Sequence, residues 1–121
     1  MRNLLFVFLG GGMGSVVRYA INLLTAHAGA MSVVATLLAN VFASFLIGFL
    51  AANLEKSGAN QAEWLLWATG FCGGLSTFST FSNETLLLFQ KNDFNGFILG
   101  GGNILLNLSG CLFFTWLGYR S

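Results

Sequence analysis

The sequence predicts an all-α integral membrane protein of four transmembrane helices, the third of them broken in mid-membrane. Three observations carry this. Of 121 residues, 55% are hydrophobic and only 7% are charged, whereas soluble domains devote about a quarter of their residues to charge. The apolar residues fall into four segments, at about 4–25, 32–52, 64–89 and 96–117. Each reaches the roughly 20 residues a helix needs to cross the hydrocarbon core. Inside the third segment lies Gly73-Gly74-Leu75-Ser76-Thr77-Phe78-Ser79-Thr80-Phe81-Ser82, in which seven of ten residues are Gly, Ser or Thr. Such residues weaken a helix and offer its backbone alternative partners. In lipid, an opened backbone is tolerated only where it is buried in protein or lines a wet cavity. The run therefore marks a close helix contact or a functional break near 73–79. The repeated Ser-Thr-Phe favours the break, because simple packing has no need of two Phe beside two hydroxyl pairs.

Composition excludes several classes. The apolar richness rules out low-complexity disorder, and a net charge of +1 leaves no nucleic-acid footprint. The short connections, at 26–31, 53–63 and 90–95, leave no soluble domain and imply antiparallel neighbours in one four-helix membrane domain, 1–121. No cleavable signal peptide stands out, because the first apolar run passes straight into Gly10-Gly11-Gly12 and on to Arg18. Cys72 and Cys111 both fall in apolar segments and read as small packing residues rather than a disulfide. His27 is the only histidine, so neither a clustered metal site nor a Ser-His-Asp arrangement can be assembled, and no enzyme is expected.

In helix 1, Gly10 and Gly14 are four apart and form a small-residue face for close backbone approach. Arg18 follows without an acidic partner in the same helix. A mid-bilayer charge costs roughly 2.5–3.5 kcal/mol on the lenient scale, and the residue reads either as an interfacial anchor or as an anion-attracting cation in a vestibule. Helix 2 carries Ser32, Thr36, Asn40 and Ser44, one polar residue every four, in a stripe that drifts by about 40° per step. Asn40 is interhelical glue or a donor along a polar path. Trp64 and Trp67 suit the interface at the start of helix 3. Beyond the Gly/Ser/Thr run comes Glu84, an intramembrane carboxylate or one that has already reached the aqueous mouth. Helix 4 repeats the stripe with Asn103, Asn107, Cys111 and Thr115. Two uncharged stripes of neutral donors suggest a polar track that suits a small anion better than a cation.

Gly70-Phe-Cys-Gly-Gly-Leu-Ser-Thr-Phe-Ser-Thr-Phe-Ser-Asn-Glu84 resembles the signature of the Fluc (CrcB-like) fluoride channels. Gly11-Gly-Met-Gly-Ser-Val-Val-Arg-Tyr19 is similar to that family's first-helix pattern, and Leu37-Leu-Ala-Asn40 to its second-helix asparagine. The resemblance spans the whole chain. It implies a fluoride channel formed by two chains in antiparallel orientation, a dual-topology homodimer with two pores, in the plasma (inner) membrane of a prokaryote. Phe78 and Phe81 would turn ring edges, the positive part of the aromatic quadrupole, to the ion. Asn40 would line the pore, with Thr36, Thr80, Asn103, Asn107 and Cys111 as the polar track. Arg18 and Glu84 would be vestibule residues. A structural Na⁺ would lie at the dimer interface, held by the backbone carbonyls of Gly73 and Ser76. Helix 4 departs from the family, where relatives carry Tyr, His or Ser at the positions of Asn103, Asn107 and Cys111, and a thiol is a weak donor.

Arg2, Lys56 and Arg120 fall on one side of the membrane and Lys91 on the other, with Arg18 assigned to neither, a weak positive-inside bias of the kind dual insertion requires. A small multidrug transporter, also four short helices, depends on a carboxylate in helix 1, which this chain lacks. A non-transporting assembly subunit would leave the Phe repeat without a purpose.

Overall fold

Long uncharged stretches leave a chain in lipid one way to satisfy its backbone within a single segment, the helix. The computed structural model describes residues 1–58, 60–91 and 93–121, apart from the side chains of Glu55 and Ser57, and helices are the regular secondary structure among the described residues. The helices are α1 (Arg2–His27), α2 (Ser32–Ser57), α3 (61–75), α4 (Phe78–Phe89) and α5 (Phe94–Arg120). Within α3 an α-helical turn, Gln61–Trp64, leads into π-helix over Leu65–Cys72 and a last α turn, Gly73–Leu75. Three stretches, in α1, α2 and α5, are long and apolar enough to cross a membrane unbroken. The fourth crossing is divided between α3 and α4, so four crossings with a bent third describe a multi-pass membrane protein.

The helices run slightly beyond the expected segments, and at the starts of α3 and α5 polar residues cap them outside the apolar runs. Asn60 begins α3 by accepting from the amides of Ala62 (2.9 Å) and Glu63 (3.1 Å). Asp93 begins α5 by accepting from the Gly96 amide (2.6 Å). Side-chain oxygens of this kind satisfy amides that have no partner inside the helix. After α1 the chain turns at Gly29, whose φ of +72° only glycine adopts without strain.

Packing follows the small residues. α1 lies along α3, and α2 lies along α5. Gly10 and Gly14 are the buried residues of α1. A Cβ on Gly14 would collide with the Phe71 carbonyl and sit 2.8 Å from the Leu75 amide nitrogen, and one on Gly10 would sit 2.9 Å from the Phe71 amide. The glycine face expected on helix 1 thus admits the backbone of α3. The π-helical stretch had no signal in the sequence; wide turns of this kind have poor bond geometry and persist where tertiary packing selects them. Ala39, Ala43 and Leu75 form the most buried cluster, with Val17, Ile21, Leu46 and Phe71 against it. Leu75 is completely buried, so the last helical residue before the break is anchored in the core. Large apolar side chains such as Phe8, Leu24, Phe97 and Leu105 are exposed on the outer faces of α1 and α5, as lipid contact requires.

Candidate functional site

The Gly/Ser/Thr/Phe run breaks the helix at two residues only. Ser76 (φ −75°, ψ 154°) and Thr77 (φ −150°, ψ 108°) are extended. In an uninterrupted helix the Thr77 amide would donate to the Gly73 carbonyl and the Thr80 amide to that of Ser76. Both donors are diverted. The Thr77 amide donates to Asn40 Oδ1 at 2.7 Å, and the Thr80 amide donates to Thr77 Oγ1 at 3.3 Å, which makes Thr77 the N-cap of α4. The carbonyls of Gly73 and Ser76 are thereby deprived of their helical donors, and a Cβ built on Gly73 would meet nothing within 4 Å. Neutral oxygens freed in this way are hard donors of the type that alkali cations accept. The two residues expected to hold Na⁺ therefore fit such an ion chemically.

From the break a chain of hydrogen bonds crosses the bundle. Asn40 Nδ2 donates to Asn107 Oδ1 (3.0 Å), and more weakly to the Thr77 carbonyl (3.5 Å). Asn107 Nδ2 donates to Asn103 Oδ1 (2.9 Å) and to the Asn103 carbonyl (3.2 Å). Asn103 Nδ2 donates to Thr85 Oγ1 (2.9 Å), which in turn donates to the Phe81 carbonyl (2.7 Å). Asn40, Thr77, Thr85, Asn103 and Asn107 are all buried. The stripes of α2 and α5 thus meet each other at Asn40 and Asn107 instead of facing one another across an open track.

The expected site residues fall around separate spaces. A cavity of about 360 Å³ is lined by Asn40, Ser76, Phe78, Phe81, Asn107 and Cys111. The Phe78 and Phe81 rings are 5.5 Å apart and tilted by 53°. Phe81 is buried, whereas Phe78 is 76% exposed at the surface of the single chain. Cys111 is half-buried, and both cysteines are free thiols, as read from the sequence. A second cavity, of about 180 Å³, brings Arg18 together with Thr36, Thr80, Ser15 and Asn22. Thr77 lines both and forms the partition between them. Gly73 and Ser76 border a third, more open groove with Ser44, Thr69 and Cys72. Asn103 joins the hydrogen-bonded chain without reaching the phenylalanine cavity; it borders an apolar groove with Leu37, Leu88 and Leu99.

Glu84 is buried, and its Oε2 has no hydrogen-bond partner among the described residues. It has therefore not reached an open mouth of the single chain. Sequence reasoning missed Thr77 and Thr85. Thr77 lies within the Gly/Ser/Thr run, where its residue type alone does not set it apart from its neighbours. Thr85, four residues beyond Phe81, stands on the same helical face, and that spacing was the available signal.

A family model described as "CrcB-like protein, Camphor Resistance (CrcB)" matches residues 5–119. Proteins named "Fluoride-specific ion channel FluC" from Shewanella sp. (strain ANA-3), Shewanella oneidensis and Shewanella baltica (strain OS155) are each 45% identical over 121 residues. The alignment covers 99% of this chain and 95% of theirs. The break, its asparagine and the paired phenylalanines thus sit in a chain that is matched almost end to end, and this protein belongs to the CrcB-like family.

Proposed function

We propose that the chain forms a fluoride-selective channel, which exports fluoride passively across the plasma (inner) membrane of a prokaryote. The observation that carries the reading is the juxtaposition of a held-open helix break with the cavity walled by Phe78 and Phe81. Ring edges and neutral amides and hydroxyls offer positive potential without fixed negative charge, which suits a small, strongly hydrated anion. The names of the relatives, which specify fluoride and an ion channel rather than an enzyme, support the same chemistry. Fluoride would pass Phe78, Phe81, Asn107 and Cys111, with Asn40 in the wall. Arg18 would draw the anion into the second cavity, where Thr36 and Thr80 supply hydroxyls.

The working unit in this reading is an antiparallel homodimer with two pores. Phe78 projects from the single chain, and Gly73 and Ser76 border an open groove. A second copy would cover these features. A two-fold axis at the groove would bring together four carbonyls, those of Gly73 and Ser76 from each copy. A Na⁺ bound there would supply fixed positive charge at the interface, in a structural role. A packing-only subunit accounts for the asparagine chain but gives Phe78 no task.

The test is anion efflux from liposomes loaded with KF or KCl, with the purified protein reconstituted in Na⁺ and valinomycin added. Rapid fluoride release with negligible chloride release is expected. Fluoride retained by vesicles containing correctly assembled protein would overturn the proposal.

A further inference from the structure

An asparagine in the wall of an anion cavity invites the reading that its amide donates to the ion. The bonding around Asn40 argues otherwise. Its Oδ1 accepts from the Thr77 amide at 2.7 Å, and its two Nδ2 hydrogens have acceptors in Asn107 Oδ1 at 3.0 Å and the Thr77 carbonyl at 3.5 Å. The carboxamide therefore grips both backbone groups of one extended residue, as a neighbouring strand would. A single side chain on α2 stands in for a strand partner and stabilises a β-conformation inside a membrane bundle, where an unpaired backbone costs several kcal/mol per group. Both Asn40 hydrogens are thus directed at acceptors within the protein, firmly at Asn107 and more weakly at Thr77.

The polarity of the whole chain is set from its ends. At one end is a backbone carbonyl, that of Phe81, which can only accept; the Thr85 hydroxyl must donate to it and so presents a lone pair to Asn103. Asn103 must then turn its nitrogen to Thr85 and its oxygen to Asn107. Asn107 must turn its oxygen to Asn40, and Asn40 its own oxygen to the break. At the other end is a backbone amide, that of Thr77, which can only donate. The requirements of the two ends agree, so every amide along the way has one orientation that satisfies it.

We propose that Asn40 is a positioning residue for the cation site of the break, oriented from a distance by Thr85 through Asn103 and Asn107. By holding the Thr77 amide, Asn40 removes the donor that would otherwise occupy the Gly73 carbonyl, and Thr77 Oγ1 does the same for Ser76 by holding the Thr80 amide. Loss of the Thr85 hydroxyl leaves Asn103 Nδ2 without its acceptor, loosens the orientation of the three amides, and allows the Thr77 amide to return to Gly73. This inference rests on the Na⁺ reading above.

The experiment is a Na⁺ titration of the melting temperature of the full chain, purified in detergent, with Li⁺ and N-methylglucamine as control cations. It compares the wild type with Thr85→Val, Thr85→Ser and Asn40→Ala. The wild type is expected to show saturable stabilisation specific to Na⁺. Thr85→Val should raise the half-saturating Na⁺ concentration by roughly three- to tenfold, the range that one net hydrogen bond covers. Thr85→Ser, which retains the hydroxyl, should restore it, and Asn40→Ala should abolish the stabilisation. If Thr85→Val lowers the melting temperature equally in every cation and leaves the half-saturating Na⁺ concentration unchanged, the chain only packs helices and the proposal is wrong. Should Asn40→Ala fail to fold, Thr85→Val still decides. A wild type that melts at the same temperature in all three cations would instead remove the Na⁺ site itself, and the inference with it.

Discussion

Replacing Gly14 by Ala tests how tightly α1 holds the broken helix. The added Cβ would collide with the Phe71 carbonyl and stand 2.8 Å from the Leu75 amide nitrogen, whereas ordinary contact begins at 3.4 Å. Both neighbours are backbone, so no side chain can rotate away, and α1 and α3 must separate by more than the 0.6 Å missing at Leu75, because the Phe71 carbonyl is nearer still. Overpacking of this kind costs about 1–3 kcal/mol, a factor of roughly 5 to 150 in the folded-to-unfolded ratio. Gly12, two residues earlier, has nothing within 4 Å of the same added carbon. Gly12→Ala should therefore gain the helical preference of alanine over glycine, about 0.5–1 kcal/mol. The two substitutions are chemically identical and predicted to act in opposite directions. Tryptophan fluorescence melts in detergent would read both. Trp67 packs edge-on against Phe71 at 5.8 Å, so one reporter lies beside the perturbed contact. A Gly14→Ala protein that melts at or above the wild-type temperature would refute the argument that a glycine face sets the α1–α3 distance.

Other substitutions separate roles within the site. Phe78→Ile should leave the protein assembled yet sharply reduce fluoride efflux from liposomes; unaltered efflux would remove Phe78 from the route. Phe81→Ala empties a buried position and should cost about 3–5 kcal/mol in a denaturant titration. Arg18→Gln should slow fluoride efflux about tenfold at low ionic strength. It should do so much less in molar inert salt, where the screening length is only about 3 Å; a loss insensitive to salt would place Arg18 in packing alone. Glu84→Gln keeps the shape of a buried side chain whose Oε2 has no partner among the described residues, and should raise the melting temperature, since a buried amide costs less than a buried carboxylate. A lower melting temperature would show that the carboxylate is paired in the assembled protein.

Much of the architecture was legible from the chain because it depends on quantities that are local. Four apolar segments of membrane-spanning length, interrupted by charge only at Arg18 and Glu84, predict four crossings, and the caps Asn60 and Asp93 set where α3 and α5 begin ahead of them. The glycine face of α1 could be read from a four-residue spacing, and the weakness of the third helix from Gly, Ser and Thr at membrane depth. The stripes of α2 and α5 were also visible as spacings, but their meaning was not. Four-residue periodicity says that Asn40 lies on one face; it does not say whether that face meets an open path or the amide of Asn107. The one mark Thr85 carries in the sequence is its four-residue spacing from Phe81; its role arises from Asn103, eighteen residues away.

By itself, then, the sequence determined the number of crossings, the position of the weak point and the residue types gathered about it, because hydropathy and helix propensity act over one or two turns. The tertiary structure decided where the weak point opens and what holds it open. Ser76 and Thr77 are extended because Asn40, on another helix, satisfies Thr77 from the side. It also decided that α3 is wound as π-helix over Leu65–Cys72, where the bare backbone of α1 at Gly10 and Gly14 lets a neighbour approach. Both outcomes turn on backbone groups meeting partners from other helices. Each backbone group is alike along the chain until the fold brings a particular side chain to it.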